Sequence, residues 1–228
     1  MINFDSKIIL KSIEHTNLQP TLVSSDVEKL VEEAKLYQFG GVCVPPYWAK
    51  KARRDLGYNI DIQLVTVIGF PLGYQRSEVK MQEVISAIKD GVNEFDMVVN
   101  VSAVKMQAWE WIKPEIAQIA QKVHEAEGLL KVILETAYLT DEEIIKLCHL
   151  CSDAGTDFVK TSTGFAPKGA TMEGVKLMRT HTPTHVGIKA SGGIRTLAQA
   201  KDFLNAGAER LGTSAGVQIF EELNTENI

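Results

Sequence analysis

Three cysteines in 228 residues, Cys43, Cys148 and Cys151, are too few to staple a fold with disulfides, and a reducing, cytoplasmic setting is the expectation. No apolar run is long enough to cross a bilayer. The opening MINFDSKIILKS has no long apolar core followed by a small-residue cleavage site, so no signal peptide is read there. Positive charge is not in excess. With 24 Lys and Arg against 29 Asp and Glu, the formal net charge is −5, which argues against nucleic-acid or anionic-membrane binding. A phosphate on any ligand must therefore be held by local groups. Linkers, low-complexity runs and charge blocks are also lacking, so one domain over residues 1–228 is expected.

What is present is an alternation. Short apolar runs, punctuated by Gly or Pro, predict strands at Ser12–Thr16, Gly41–Val44, Gln63–Ile68, Glu94–Val99, Leu130–Glu135, Asp157–Thr161, Val186–Ala190 and Glu209–Gly212. Amphipathic stretches lie between them. Val27, Leu30, Val31, Ala34 and Leu36 recur near helical spacing in Asp26–Phe39. Thr140 with Glu143 reads as a capping box, and a further helix runs from Thr196 to a stop near Gly207. Eight strand–helix units at about 28 residues each predict a compact α/β fold, a (β/α)₈ TIM barrel with parallel strands. A doubly wound open sheet is the alternative, disfavoured because no Gly-x-Gly-x-x-Gly follows the first strand.

Two lysines then stand out. Lys160 in DFVKTSTGF and Lys189 in VGIKASGGIRT each arrive where a short strand should stop. In a barrel those carboxyl ends form the active-site face, and neighbouring strands lie about 4.8 Å apart. An ordinary lysine is a free amine only about once in 2,500 molecules at pH 7. Burial and a second nearby cation both disfavour the ammonium form, so one lysine of such a pair can become a Schiff-base nucleophile and the other its tuner. Taken singly, each lysine reads as a strand-end residue reaching solvent or a carboxylate.

Asp96 in NEFDMVVN sits among apolar neighbours on the face shared by Glu94, Val98 and Asn100. A buried aspartate needs a cation or a donor, so Asp96 is either a structural ion partner or a proton relay to a lysine. Glu135 could support the site or act as a structural partner. Gly192 and Gly193 follow the seventh strand, and Gly212, Ser214 and Gly216 follow the eighth, each set ahead of a helix. Glycines admit close backbone approach and helix N-termini offer free N–H groups, so these loops are candidates for holding a phosphate. Other features read as bland. Cys148 and Cys151 have CxxC spacing but lie within an amphipathic helix without a second pair, and no metal site is expected. Pro183 breaks any helix that would align His181 and His185. His15 ends a strand as a supporting or simply packed histidine, and Trp109 and Trp111 suit helix packing or an oligomer surface.

Together the segments EHTNLQP, VCVPP, VIGFPLG, EFDMVVN, LKVILET, DFVKTSTGF, GATMEGVKLM and GIKASGGIRT, in this order and spacing over nearly the whole chain, resemble the deoxyribose-phosphate aldolase family of class I aldolases. The resemblance implies reversible cleavage of 2-deoxy-D-ribose 5-phosphate to D-glyceraldehyde 3-phosphate and acetaldehyde, as in deoxyribose phosphate catabolism. It implies that Lys160 is the Schiff-base lysine, Lys189 the second lysine and Asp96 the relay aspartate, with no metal or organic cofactor and assembly as a homodimer. Another Schiff-base sugar-phosphate lyase or a non-catalytic phosphosugar-binding barrel are the alternatives. The chain departs from the family pattern at Glu14, where aspartate is usual, at Pro167 and Lys168 in a loop that is often glycine-rich, and in a tail, EELNTENI, without tyrosine.

Overall fold

The computed structural model describes residues 5–58 and 61–226. The strands are β1 (Ile13–Thr16), β2 (Gly41–Val44), β3 (Gln63–Ile68), β4 (Glu94–Val98), β5 (Leu129–Ile133), β6 (Phe158–Lys160), β7 (Gly187–Ser191) and β8 (Arg210–Thr213). Each pairs in parallel with its neighbours in sequence, and β8 pairs with β1 to close the barrel. Around it run helices α1 (Ser6–Ser12), α2 (Ser24–Leu36), α3 (Ala49–Leu56), α4 (Ser77–Lys89), α5 (Val101–Lys105), α6 (Trp109–His124), α7 (Asp141–Asp153), α8 (Met172–Thr180), α9 (Leu197–Asn205) and α10 (Gly216–Glu226).

Every strand side chain faces either the helices or the barrel axis. The outward set includes Val42, Leu64, Phe95, Met97, Leu130, Val132, Val159, Ile188 and Leu211, all buried in the main core against the helices. Burying such side chains contributes about 1.5–3 kcal/mol each. The inward set differs. Cys43, Val65 and Val67 form a small apolar cluster on β2 and β3. From the remaining strands come Glu14, Glu94, Asp96, Lys131, Lys160 and Lys189, all buried.

The open-sheet alternative is thus excluded. The bounds of β2 and β3 are those expected from the sequence, and the other strands differ from expectation by one or two residues at an end. The helix expected over Asp26–Phe39 begins earlier and ends sooner. The Asp26 carboxylate accepts the Val23 N–H at 2.9 Å, and Gln38, at φ 56°, leaves the helical region so that Phe39 turns into the core. Helices α7 and α9 open on the expected threonines, Thr140 and Thr196, in capping boxes with Glu143 and Gln199. Gly207, at φ 107°, follows the end of α9, where a Cβ would meet Arg179 Cγ at 2.7 Å.

Candidate active site

Asp96 stands at the centre of the barrel interior. Lys160 Nζ donates to its Oδ2 at 2.7 Å, and Lys189 Nζ donates to the same oxygen at 2.6 Å. The two lysines are register partners on β6 and β7. Sharing one oxygen holds their nitrogens within the roughly 4–6 Å over which charges shift each other's pKa. Lys189 also donates to Glu14 Oε2 from β1. All four side chains are buried.

A third lysine lies in the same network. Lys131 of β5 donates to Asp96 Oδ1 at 3.2 Å and lies 2.5 Å from Glu94 Oε2 and 3.5 Å from Glu14 Oε1. Arg210, at the amino end of β8, reaches Glu14 Oε1 at 3.8 Å and Glu94 Oε1 at 4.0 Å, and stacks over the Phe158 ring. Lys131 and Arg210 were not among the residues singled out from the sequence, and Glu94 was noted there only as sharing the face of Asp96. A lysine in the middle of the apolar run LLKVI was the signal that could have found the first of them.

Charge complementarity decides the protonation states. Burial pushes the Asp96 carboxyl up, but Lys131, Lys160 and Lys189 together outweigh it and hold Asp96 well below the usual carboxylate range. Glu14 is lowered in the same way: burial raises it, and Lys131 and Lys189 more than compensate. Burial alone would depress Lys131 and Lys189, yet their carboxylate partners raise both, so each is a firmly held ammonium. The departure at Glu14 therefore leaves a working contact, because the longer side chain reaches both Lys189 and Lys131.

The rim is built by the loops after β5 to β8. Glu135, at φ 57°, accepts hydrogen bonds from the Thr163 N–H at 3.3 Å and from its hydroxyl. Burial raises its pKa against the pull of those bonds. Gly192 and Gly193 both take positive φ, 90° and 83°, in the loop after β7. Gly169, from the loop after β6, lies so close to Gly192 that a Cβ would sit 2.1 Å from the Gly192 carbonyl oxygen. Ser214 is exposed just ahead of α10. Gly212, by contrast, is not in the loop but inside β8, where a Cβ would lie 3.2 Å from Lys189 Cε and 2.9 Å from Ser191 Cβ. It makes room for the lysine. The start of α9 is already engaged, with the Leu197 N–H on Glu222 and the Gln199 N–H on Thr196. The open amides of the two loops are thus those nearest Gly193 and Ser214. Lys168 is exposed in the loop after β6.

The remaining candidates fall away from this centre. His15 packs outside the barrel, its Nε2 2.8 Å from Glu33 and its ring against Phe39, and burial lowers its pKa against the pull of Glu33. Cys148 and Cys151 are free, buried thiols on α7, the first pushed up to about 11 by burial. His181 caps α8 and His185 lies in the following loop. Trp109 packs partly against the core, and Trp111 is 75% exposed.

Known proteins share this architecture. The chain is 48% identical over 214 residues to a deoxyribose-phosphate aldolase of Thermococcus kodakarensis, covering 93% of this chain and 96% of that one. It superposes on the structure of an aldolase designated QR15 with a TM-score of 0.90 at 39% identity, covering 96% and 97% of the two chains. It is likewise similar to the deoxyribose phosphate aldolase of Aeropyrum pernix, described as a tetramer, with a TM-score of 0.89 at 32% identity over 97% and 93% of the chains. The sequence profile of the DeoC/LacD family aldolases matches residues 1–222. A closed eight-stranded barrel with buried lysines around a single aspartate, carried by a sequence that matches this profile almost end to end, makes the chain a member of the DeoC/LacD family of aldolases.

Proposed function

We propose that this aldolase reversibly cleaves 2-deoxy-D-ribose 5-phosphate to D-glyceraldehyde 3-phosphate and acetaldehyde, with Lys160 as the Schiff-base nucleophile. The observation that carries the reading is that the two strand-end lysines share one oxygen of the buried Asp96 carboxylate. A neutral amine held beside a fixed cation is what imine formation needs.

The Lys160 amine attacks the C1 aldehyde of the open-chain sugar, and loss of water gives an iminium. The C3 hydroxyl gives its proton to a relay of Asp96, Lys189 and a water. The C2–C3 bonding pair then flows into the iminium, releasing glyceraldehyde 3-phosphate and leaving an enamine. Protonation of the enamine carbon and hydrolysis return acetaldehyde and the free lysine. Lys189 enters the relay protonated and Asp96 ionised, so the first is placed to give a proton and the second to take one. Nothing in this sequence calls on a metal or an organic cofactor, since the iminium is itself the electron sink. The substrate phosphate is assigned to the turn at Gly192–Gly193 and to Ser214 with the first turn of α10, where N–H groups favour an anion. Gly212 contributes there only indirectly, through the space it leaves for Lys189. We also expect the chain to act as a homodimer, a point that light scattering settles.

Incubation with acetaldehyde and borohydride should fix an ethyl group on Lys160, found by peptide mapping, and deoxyribose 5-phosphate should release acetaldehyde. Labelling of Lys189 instead would exchange the roles of the two lysines. Labelling without acetaldehyde release would favour another Schiff-base lyase, and neither result would leave a non-catalytic barrel.

A further inference from the structure

The network inside the barrel holds seven charged side chains joined by contacts of 4.0 Å or less: Glu14, Glu94, Asp96, Lys131, Lys160, Lys189 and Arg210. Three are carboxylates. Set Lys160 aside and three are cations. The interior is neutral when Lys160 carries no proton, and carries one excess positive charge when it does. We infer that Lys131, buried among Glu14, Glu94 and Asp96, is a positioning residue that selects Lys160 as the free amine: by occupying Glu94 and part of Asp96 and Glu14, it leaves too little negative charge to hold a third ammonium.

The arrangement distinguishes the lysines. Lys131 contacts three carboxylates and Lys189 two, whereas Lys160 contacts Asp96 alone. The other titratable groups facing this space do not upset the balance. The Cys43 thiol from β2 is pushed up to about 11 by burial and stays neutral at pH 7. Glu135, beyond β5, feels the Lys160 charge and the Thr163 hydrogen bonds, which lower its pKa, but burial is the larger effect and raises it, and among the described residues no ion pair of 4.0 Å or less joins it to the network. A neighbouring charge within about 4–6 Å shifts a pKa by about one to three units, and a like charge acts against the charged form. The inference rests on Lys160 being the nucleophile, and it assigns a role to residues outside the reacting pair.

The test is the pH dependence of borohydride-trapped ethyl label on Lys160 with acetaldehyde as the probe. Lys131→Met removes one cation and should move the acid limb of labelling upward by about one to two pH units, a 10- to 100-fold loss at a fixed pH below it. Glu94→Gln removes one carboxylate and should move the limb downward. The double variant Glu94→Gln/Lys131→Met restores the count and should return the limb to within about half a unit of the unmodified protein, which a merely structural role would not do. If Lys131→Met does not fold, the sign of the Glu94→Gln shift carries the test. A limb that stays put, or an upward move in Glu94→Gln, overturns the inference. Absence of label on Lys160 in the unmodified protein would instead overturn the Schiff-base assignment beneath it.

Discussion

Replacing Asp96 with asparagine keeps the side chain's size and removes its charge. Three lysine contacts depend on that charge, at 2.6, 2.7 and 3.2 Å, and the residue is fully buried. Removing one partner of a buried ion cluster typically costs about 3–5 kcal/mol, because the other partner is left buried and unpaired. Here the cost belongs at the lower end. Lys131 retains Glu94 and Glu14, Lys189 retains Glu14, and only Lys160 loses its single carboxylate. About 3 kcal/mol is therefore expected, which for a protein of this length lowers Tm by roughly 6–12 °C. Turnover should fall by about 10²- to 10⁴-fold, the usual worth of a positioned proton-transfer group. Imine formation should not fall with it. Freed of its counter-ion, Lys160 should take up acetaldehyde label at a lower pH than before. Calorimetry, an assay of acetaldehyde release and borohydride trapping measure the three quantities. A variant with kcat within tenfold of the parent would reduce Asp96 to a counter-ion, and an unchanged Tm would mean that the three contacts carry no net energy.

Ser214→Glu should raise KM for deoxyribose 5-phosphate strongly while penalising unphosphorylated deoxyribose far less, and an equal penalty on both would place the phosphate elsewhere. Gly212→Ala puts a methyl group 3.2 Å from Lys189 Cε and 2.9 Å from Ser191 Cβ, so turnover should drop while stability falls by about 1–3 kcal/mol; unaltered kinetics would show that Lys189 moves freely. Acid should act through Asp96, whose folded pKa is depressed. Its stabilisation is full above its unfolded pKa of about 3.9 and is lost as pH falls through the lower folded value. The Tm gap between the parent and Asp96→Asn should therefore be constant above about pH 5 and narrow in stronger acid, and a gap that widens there would contradict the sign. Lys131 and Lys189 have raised folded pKa values, so their contribution is full below about pH 10.4 and fades only as pH rises through the folded values. A Tm that falls between pH 8 and pH 10 through these two lysines would count against that.

The order of elements was legible in the sequence, for a local reason. A parallel barrel strand is buried on both sides, so it appears as a short apolar run bracketed by Gly or Pro, and crossover helices declare themselves by their own periodicity and caps. Lys160 and Lys189 stood out because a charge at the end of such a run breaks a local pattern, and Asp96 stood out for the same reason. Their register on neighbouring strands followed from the barrel topology. Lys131 interrupts the run LLKVI in the same way, but its meaning lies in partners that no window along the chain contains. Asp96 is 35 residues from Lys131, 64 from Lys160 and 93 from Lys189, and Glu14 lies 175 residues from Lys189. Only closure of β8 onto β1 brings Glu14 to the last lysine. Only the inward pleat of six strands puts the three carboxylates and their cations into one shared volume. The sequence by itself therefore determined which side chains carry charge at strand positions that should be buried. The tertiary structure decided which of them neutralise one another, because the strength of a buried charge pair depends on distance and desolvation, and both are properties of the closed barrel.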